Sequence, residues 1–315
     1  MHKYIHTPMV QLQALVGYLR WPVSIAGGLS ALILALLYAF QGKIIYVPRI
    51  PGVPGGYVAR PEEYNLDHED VWLRTADGVR LHAWVVFRKG LKAEEARALP
   101  LVVFLQENAG NMSMRLHFLR ALVLILNCKC VILQYRGYGE SEGTPSERGL
   151  QRDVDALMKY VVSREDYVKE RTVLFGRSLG GAVAMYAAVE HATCYQAVIV
   201  ENTFTSIEDM AGVAFPPLRA LVGQGKRFNW LVRDKWRSVD RVGKLADVPV
   251  LFLVSMADEI VHPGQMARLY ETGGGDANVR WRMREFDEAG HMDAYHTHAG
   301  LYWPEVKGFF EECVK

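Results

Sequence analysis

The chain has 315 residues and a mass of 35.5 kDa, half of them apolar and 23% charged. That composition suits a large buried core and excludes a disordered chain. A net charge of +1 with no basic block excludes an electrostatic footprint for nucleic acid. The charge is unevenly placed: residues 1–49 hold Lys3, Arg20, Lys43 and Arg49 and no acid. The other 32 of the 36 bases share residues 50–315 with all 35 acids.

The first predicted element is membrane rather than core. Trp21 to Phe40 reads WPVSIAGGLSALILALLYAF, 20 residues without a charge. As a helix it spans about 30 Å, the thickness of bilayer hydrocarbon. Trp21 and Tyr38 sit at its ends, as interfacial aromatics do, with Arg20 and Lys43 just beyond. A signal-peptide apolar region is shorter, about 7–15 residues, and no small-residue cleavage site follows this one. A buried core helix would carry a polar face. The reading is a single-pass, uncleaved anchor over 21–41 with a flank at 1–20. Basic residues are balanced across it, so orientation is not indicated. The expected location is an endomembrane, such as the endoplasmic reticulum, or the plasma membrane. The bilayer is then an expected partner and nucleic acid is not. Residues 42–66, Pro/Gly-rich over 48–61, read as an extended linker, and 67–315 as the globular domain.

Within that domain strand and helix patterns alternate. Asp70–Thr75 and Val79–Phe87 flank an Ala-Asp-Gly turn and predict a hairpin. Apolar runs predict strands at Leu101–Leu105, Val131–Tyr135, Thr172–Phe175, Tyr195–Val200, Val250–Val254 and Val279–Phe286. Helical periodicity covers Met112–Leu126, 147–163, Gly180–His191 and 299–313. Near-continuous apolar strands separated by helices predict an α/β fold, a mostly parallel sheet covered on both faces. Residues 202–247 break this rhythm with Pro216-Pro217 and the aromatics Phe204, Phe215, Phe228, Trp230 and Trp236. They read as a lid-like insertion able to receive an acyl chain. Cys128, Cys130, Cys194 and Cys313 are too few for a disulfide scaffold and lack zinc-site spacing, so they read as buried thiols.

The pattern G-x-S-x-G occurs twice, at Gly176–Gly180 and at Gly139–Gly143. A nucleophile elbow needs a strand before it and a helix after it. Ser178 has both: TVLFG enters and GGAVAMYAAVEHA leaves. Ser141 lies between Glu140 and Glu142, whose carboxylates would oppose an oxyanion, so its copy reads as a surface loop. A serine nucleophile needs a base, and the base an orienting acid, in the chain order Ser, acid, His. VPVLFLVSMADEIV places Asp258 just past a strand, and FDEAGHMD places His291 past the next. Glu201, ending the fourth parallel strand, is the rival acid, and His296 and His298 are the rival bases. Asp287 and Asp293 are too close in sequence to His291 to orient it. A metal held by His291, His296 and His298 would lack helical spacing, and neither metal nor cofactor is expected. The oxyanion donors expected are the backbone N–H of Leu179 and of Asn108, in the loop Gln106–Asn111. The bland reading of that loop is a strand-to-helix turn capped by Asn111.

QENAGN (106–111), QYRGYGESEG (134–143), FGRSLGGAVA (175–184), ENTFTSIEDMAG (201–212), LFLVSMADEIVHP (251–263) and GHMDAY (290–295) together resemble the bud-emergence (BEM-like) family of membrane-anchored α/β-hydrolase-domain proteins. The resemblance runs from about residue 35 to the end. It implies an α/β-hydrolase fold with a lid insertion after one transmembrane helix, and Ser178, Asp258 and His291 as a triad. Many relatives have His-Gly where this chain has Gln106-Glu107, which bears on the shape of the oxyanion hole. Hydrolysis of an ester or thioester, on a lipid or an acylated protein, is the expected activity. A serine peptidase or amidase, or a non-catalytic scaffold, are the alternatives.

Overall fold

The computed structural model describes residues 8–53 and 55–314. Residues 1–7 of the predicted flank, Pro54 of the predicted linker and Lys315 lie outside the described residues. The chain divides between Ile44 and Ile45 into a helical unit and a globular one.

The helical unit is built on α1, Pro8–Ile45, whose last residue already belongs to the globular unit. Its stretch Ser24–Ile45, 22 residues, is long and apolar enough to cross a membrane, at about 33 Å. Ile25, Leu29, Leu32 and Ile33 are exposed along it. The helix thus extends past the predicted end of the anchor at residue 41, and its apolar window starts at Ser24 rather than Trp21. The 42–66 linker is corrected at both ends. Residues 42–45 are helical, Tyr46 is 2% exposed within the globular unit, and the first strand starts at Leu66.

In the globular unit the elements follow in the order β1 Leu66–Arg74, β2 Arg80–Arg88, α2 Ala93–Ala98, β3 Leu101–Leu105, α3 Leu116–Leu126, β4 Lys129–Leu133, α4 Glu147–Ser163, β5 Thr172–Arg177 and α5 Leu179–Glu190. Then come β6 Ala197–Glu201, α6 Ile207–Ala214, α7 Val239–Val242, β7 Val250–Ser255, α8 Gly264–Thr272, β8 Trp281–Phe286, α9 Ala294–Thr297 and α10 Ala299–Cys313. One sheet runs β1-β2-β4-β3-β5-β6-β7-β8. β1 and β2 pair antiparallel, as the Ala-Asp-Gly turn predicts, β2 meets β4 antiparallel, and every other pairing is parallel. Covering both faces explains why the strands are continuously apolar. In β3, Leu101, Val103 and Leu105 face α4 and α5, while Val102 and Phe104 face α3 and α10. Emptying one such position, Phe104→Ala, costs about 3–5 kcal/mol.

Two expectations shift. β8 starts at Trp281 because Val279 is 91% exposed. The aromatics of 202–247 do not form one surface: Phe204 and Trp236 are core residues, whereas Phe215, Phe228 and Trp230 are exposed. Cys128, Cys130 and Cys313 are buried free thiols, and Cys194 is half-buried.

Candidate active site

β5 delivers Ser178 between its last residue and the first turn of α5, at φ 55° and ψ −123°, a strained conformation for a residue with a side chain. The flanking glycines make the turn possible. A Cβ on Gly176 would lie 2.2 Å from the carbonyl oxygen of Gly180, and one on Gly180 would lie 1.9 Å from that of Leu105. The second approach presses the start of α5 against the end of β3. Three bonds hold the strained residue: Ser178 N donates to Glu201 O (2.8 Å), and Ser178 O accepts from Gly181 N (2.9 Å) and Thr203 Oγ1 (2.8 Å).

His291 reaches the serine from the loop after β8. Its Nε2 lies 2.9 Å from Ser178 Oγ, and its Nδ1 lies 2.7 Å from Asp258 Oδ2. Asp258 stands past the end of β7, and its other oxygen accepts from the N–H groups of Ile260 (2.8 Å) and Val261 (2.7 Å). All three side chains are buried. Glu201, the rival acid, points elsewhere: its Oε2 accepts from Arg177 Nε (2.8 Å) and Tyr302 OH (2.7 Å). His296 is exposed on α9 and His298 bonds to its neighbour Thr297.

Two residues that sequence reasoning missed fix the histidine. Asn202, with φ 47°, donates through Nδ2 to His291 O (2.9 Å), and its Oδ1 accepts from Ser255 N (2.8 Å). It thereby ties β6, β7 and the histidine loop together. Asparagine tolerates the left-handed backbone that this requires, and its place straight after a strand was the available signal. Glu259 Oε2 accepts from His291 N (3.1 Å), and Asp293 Oδ1 from Gly290 N (2.8 Å).

The loop 106–111 is held from a distance. Among the described residues, the N–H groups of Asn108 and Leu179 donate to no protein acceptor. The Asn108 side chain accepts from Val47 N (2.9 Å), and Gly110 N donates to Val47 O (3.0 Å), so residues 47 and 109 form a short parallel bridge. Glu107, the departure from His-Gly, is buried between Arg177 Nη1 (3.0 Å) and Arg115. Arg115 also donates to Ala109 O, so it spans the residues on either side of Asn108. Burial opposes ionisation of Glu107, but Arg115 and Arg177 outweigh it and hold the carboxyl below its usual range. Burial likewise opposes the Arg177 charge, which Glu201, Tyr302 and Glu107 raise above the usual arginine range. Asn111 does cap the following turn, its Oδ1 accepting from Ser113 N (3.1 Å).

The second G-x-S-x-G copy is the surface loop expected, with Gly139, Glu140, Glu142 and Gly143 exposed, but its serine turns inward. Ser141 is buried, its Oγ donating to Gln134 O (2.7 Å) and accepting from His82 N (2.9 Å). Its hydroxyl is thus committed to fastening this loop onto β2.

The Prolyl oligopeptidase family matches residues 147–315, the half that carries Ser178, Asp258 and His291. The chain is 40% identical to the α/β-hydrolase domain-containing protein WAV2 of Arabidopsis thaliana over 91% of its own length and 92% of that protein's. It is 32% identical to protein bem46 of Schizosaccharomyces pombe, covering 89% of each. The chain belongs to the BEM-like family of α/β-hydrolase proteins. An uncharacterized membrane protein of Saccharomyces cerevisiae, 34% identical, covers 93% of this chain and 98% of its own. With the apolar helix α1, that likeness points to membrane association. Among solved structures, the Pyrococcus furiosus esterase Pf2001 superposes with a TM-score of 0.65 at 14% identity, over 86% of this chain and 100% of that one. The Pyrococcus horikoshii acylaminoacyl peptidase gives 0.58 at 16%, over 80% of this chain and 42% of that one. These two likenesses establish the α/β-hydrolase fold. Family and fold together make the protein a hydrolase of the serine type.

Proposed function

We propose that the protein is a membrane-anchored serine esterase or thioesterase acting through Ser178, His291 and Asp258. The observation that carries this reading is the relay of two short hydrogen bonds, 2.9 and 2.7 Å, from a strained serine through an imidazole to a buried carboxylate. In this reading the Ser178 hydroxyl gives its proton to His291 Nε2 as Oγ attacks the acyl carbon. Asp258 accepts from Nδ1–H, fixes the tautomer and stabilises the imidazolium. The tetrahedral oxyanion is met by the N–H groups of Leu179, at the N-terminus of α5, and of Asn108, in the loop after β3. Removing one such donor is worth about 3–4 kcal/mol of transition-state stabilisation. His291 then protonates the departing alcohol or thiol. Water, activated by the same imidazole, hydrolyses the acyl-enzyme. None of these steps uses a metal or cofactor.

Ester and thioester substrates, on a lipid or an acylated protein, are favoured because anchoring holds the site beside acyl chains. Location in the endoplasmic reticulum or the plasma membrane belongs to the same proposal, as does the role of 202–247 as a lid. A peptidase is the second reading, favoured by the match to the Prolyl oligopeptidase family. The test is labelling of the full chain by a fluorophosphonate, followed by rates on matched acyl thioester, p-nitrophenyl ester and peptide substrates. Labelling at Ser178 with ester or thioester turnover supports the first reading. Faster peptide turnover moves the assignment to the second. A chain that never labels is a scaffold, and the proposal falls.

A further inference from the structure

Residues 213–233 contain four bases and no acid, in a chain whose bases and acids nearly balance. Arg219, Lys226 and Arg227 are exposed there. Beside them Trp230 is 65% exposed and Phe228 43%, and Val213 on α6 is 56% exposed. Large apolar side chains in a row of bases cost solubility and add nothing to this core. Together they have the composition of a surface that sits at a lipid headgroup layer, aromatics at the interface and cations against anionic lipid.

The connection of this segment supports the same occupant. Three residues beyond its end, buried Trp236 donates from Nε1 to Tyr46 OH (3.0 Å). Tyr46 is the residue that directly follows α1 and its membrane-length stretch Ser24–Ile45. A hydrogen bond therefore holds residue 236 at the point where the chain leaves the apolar helix. If α1 spans a bilayer, Tyr46 is the residue at which the chain leaves it, and residue 236 is bonded to that residue. Attraction between bases and anionic headgroups acts over about a Debye length, roughly 8 Å at physiological salt.

We propose that segment 213–233 docks on an anionic bilayer surface, giving the protein a second membrane contact besides α1. The contact uses the bases for attraction and Phe228 and Trp230 for insertion at the headgroup level. It rests on α1 being an anchor, and it leaves open which bond Ser178 cleaves. The same connection from β6 to β7 carries Asn202, so docking would also hold the lid-like stretch beside the surface that supplies acyl chains.

The test uses the full chain reconstituted in vesicles of brominated phosphatidylcholine, with or without about 30 mol % phosphatidylserine. The emission of residue 230 is the difference between the wild type and Trp230→Phe, a substitution at an exposed site that leaves the core intact. Resistance of the same vesicles to alkaline carbonate reports the anchor separately. The expected result is carbonate resistance, with residue-230 emission quenched severalfold more in anionic than in neutral vesicles. The combined Arg219→Glu, Lys226→Glu and Arg227→Glu variant should lose that difference while staying anchored. Equal quenching in the two lipids, or no quenching in carbonate-resistant vesicles, overturns the docking and leaves the anchor standing. Release by carbonate overturns both.

Discussion

The serine elbow and the loop facing it share one job in the proposed mechanism, yet they are built in opposite ways. The elbow is coded locally. Gly176, Ser178 and Gly180 lie within five residues, and backbone atoms stand too close to both glycines for a side chain to fit. The loop 106–111 has no such local code. Val47 docks on it from 61 residues earlier in the chain, and it is braced by Arg115 and, through Glu107, by Arg177. The first kind of structure survives transplantation from fold to fold as a motif. The second depends on what the rest of the chain brings to it, so it can differ between relatives while the elbow stays the same.

The largest effects should come from the elbow and its relay. Ser178→Ala should abolish fluorophosphonate labelling, whereas Ser141→Ala should leave it intact; gel fluorescence decides between the two serines. Next, Asp258→Asn should lower kcat on a p-nitrophenyl ester by roughly two to four orders of magnitude with KM little changed. Glu201→Gln should act on stability instead. It leaves the buried Arg177 with a weaker partner, so unfolding in urea should come earlier by about 3 kcal/mol, with kcat of the folded enzyme within about tenfold of wild type. The reverse ranking would move the orienting acid to Glu201.

The comparison is sharpened by cutting the remote support of the loop. A chain beginning at Ile45 keeps Tyr46 and Val47, and one beginning at Pro48 loses both. Both should be released from the membrane. The shorter chain also loses buried Tyr46 and its bond to Trp236, so it should unfold earlier in urea. Its folded fraction should show kcat reduced about ten- to a hundredfold at similar KM, because the oxyanion donor proposed at Asn108 loses its support. Equal kcat values would mean that the loop holds its shape without residue 47. The smallest effect should come from Ser141→Ala. It leaves the buried Gln134 carbonyl and His82 N–H without their hydroxyl partner, at a cost of about 1–3 kcal/mol read from the urea midpoint, with kcat unchanged.

Much of the fold could be read from the sequence because its signals are short-range. β3, α4 and α10 have the bounds that periodicity assigns, 101–105, 147–163 and 299–313, since each is bounded by its own caps or turns. Ser146 at the start of α4, accepting from Gly149 N (3.1 Å), is one such stop. The ends that moved are ends where packing overrides pattern. β8 loses Val279 because its side chain is left exposed, and α1 runs on through the polar residues Gln41 and Lys43 to the apolar pair Ile44-Ile45.

By itself, then, the sequence determined the apolar helix, the layered sheet and the strand–turn–helix setting that marks Ser178 rather than Ser141 as the proposed nucleophile. Each follows from composition or from spacing along a few neighbouring residues, where backbone sterics and periodicity act directly. Only the tertiary structure decided that Asp258 rather than Glu201 faces His291. The two acids end neighbouring strands, and Arg177 and Tyr302, brought in from β5 and α10, engage the second one. It alone also turned the apparent linker at Tyr46–Val47 into a support for the loop beside the serine, and assigned Asn202 to hold the histidine. Those roles arise from hydrogen bonds between residues 61 and 89 positions apart. Such bonds leave no periodicity in the chain, and they exist only once the sheet has set the distances.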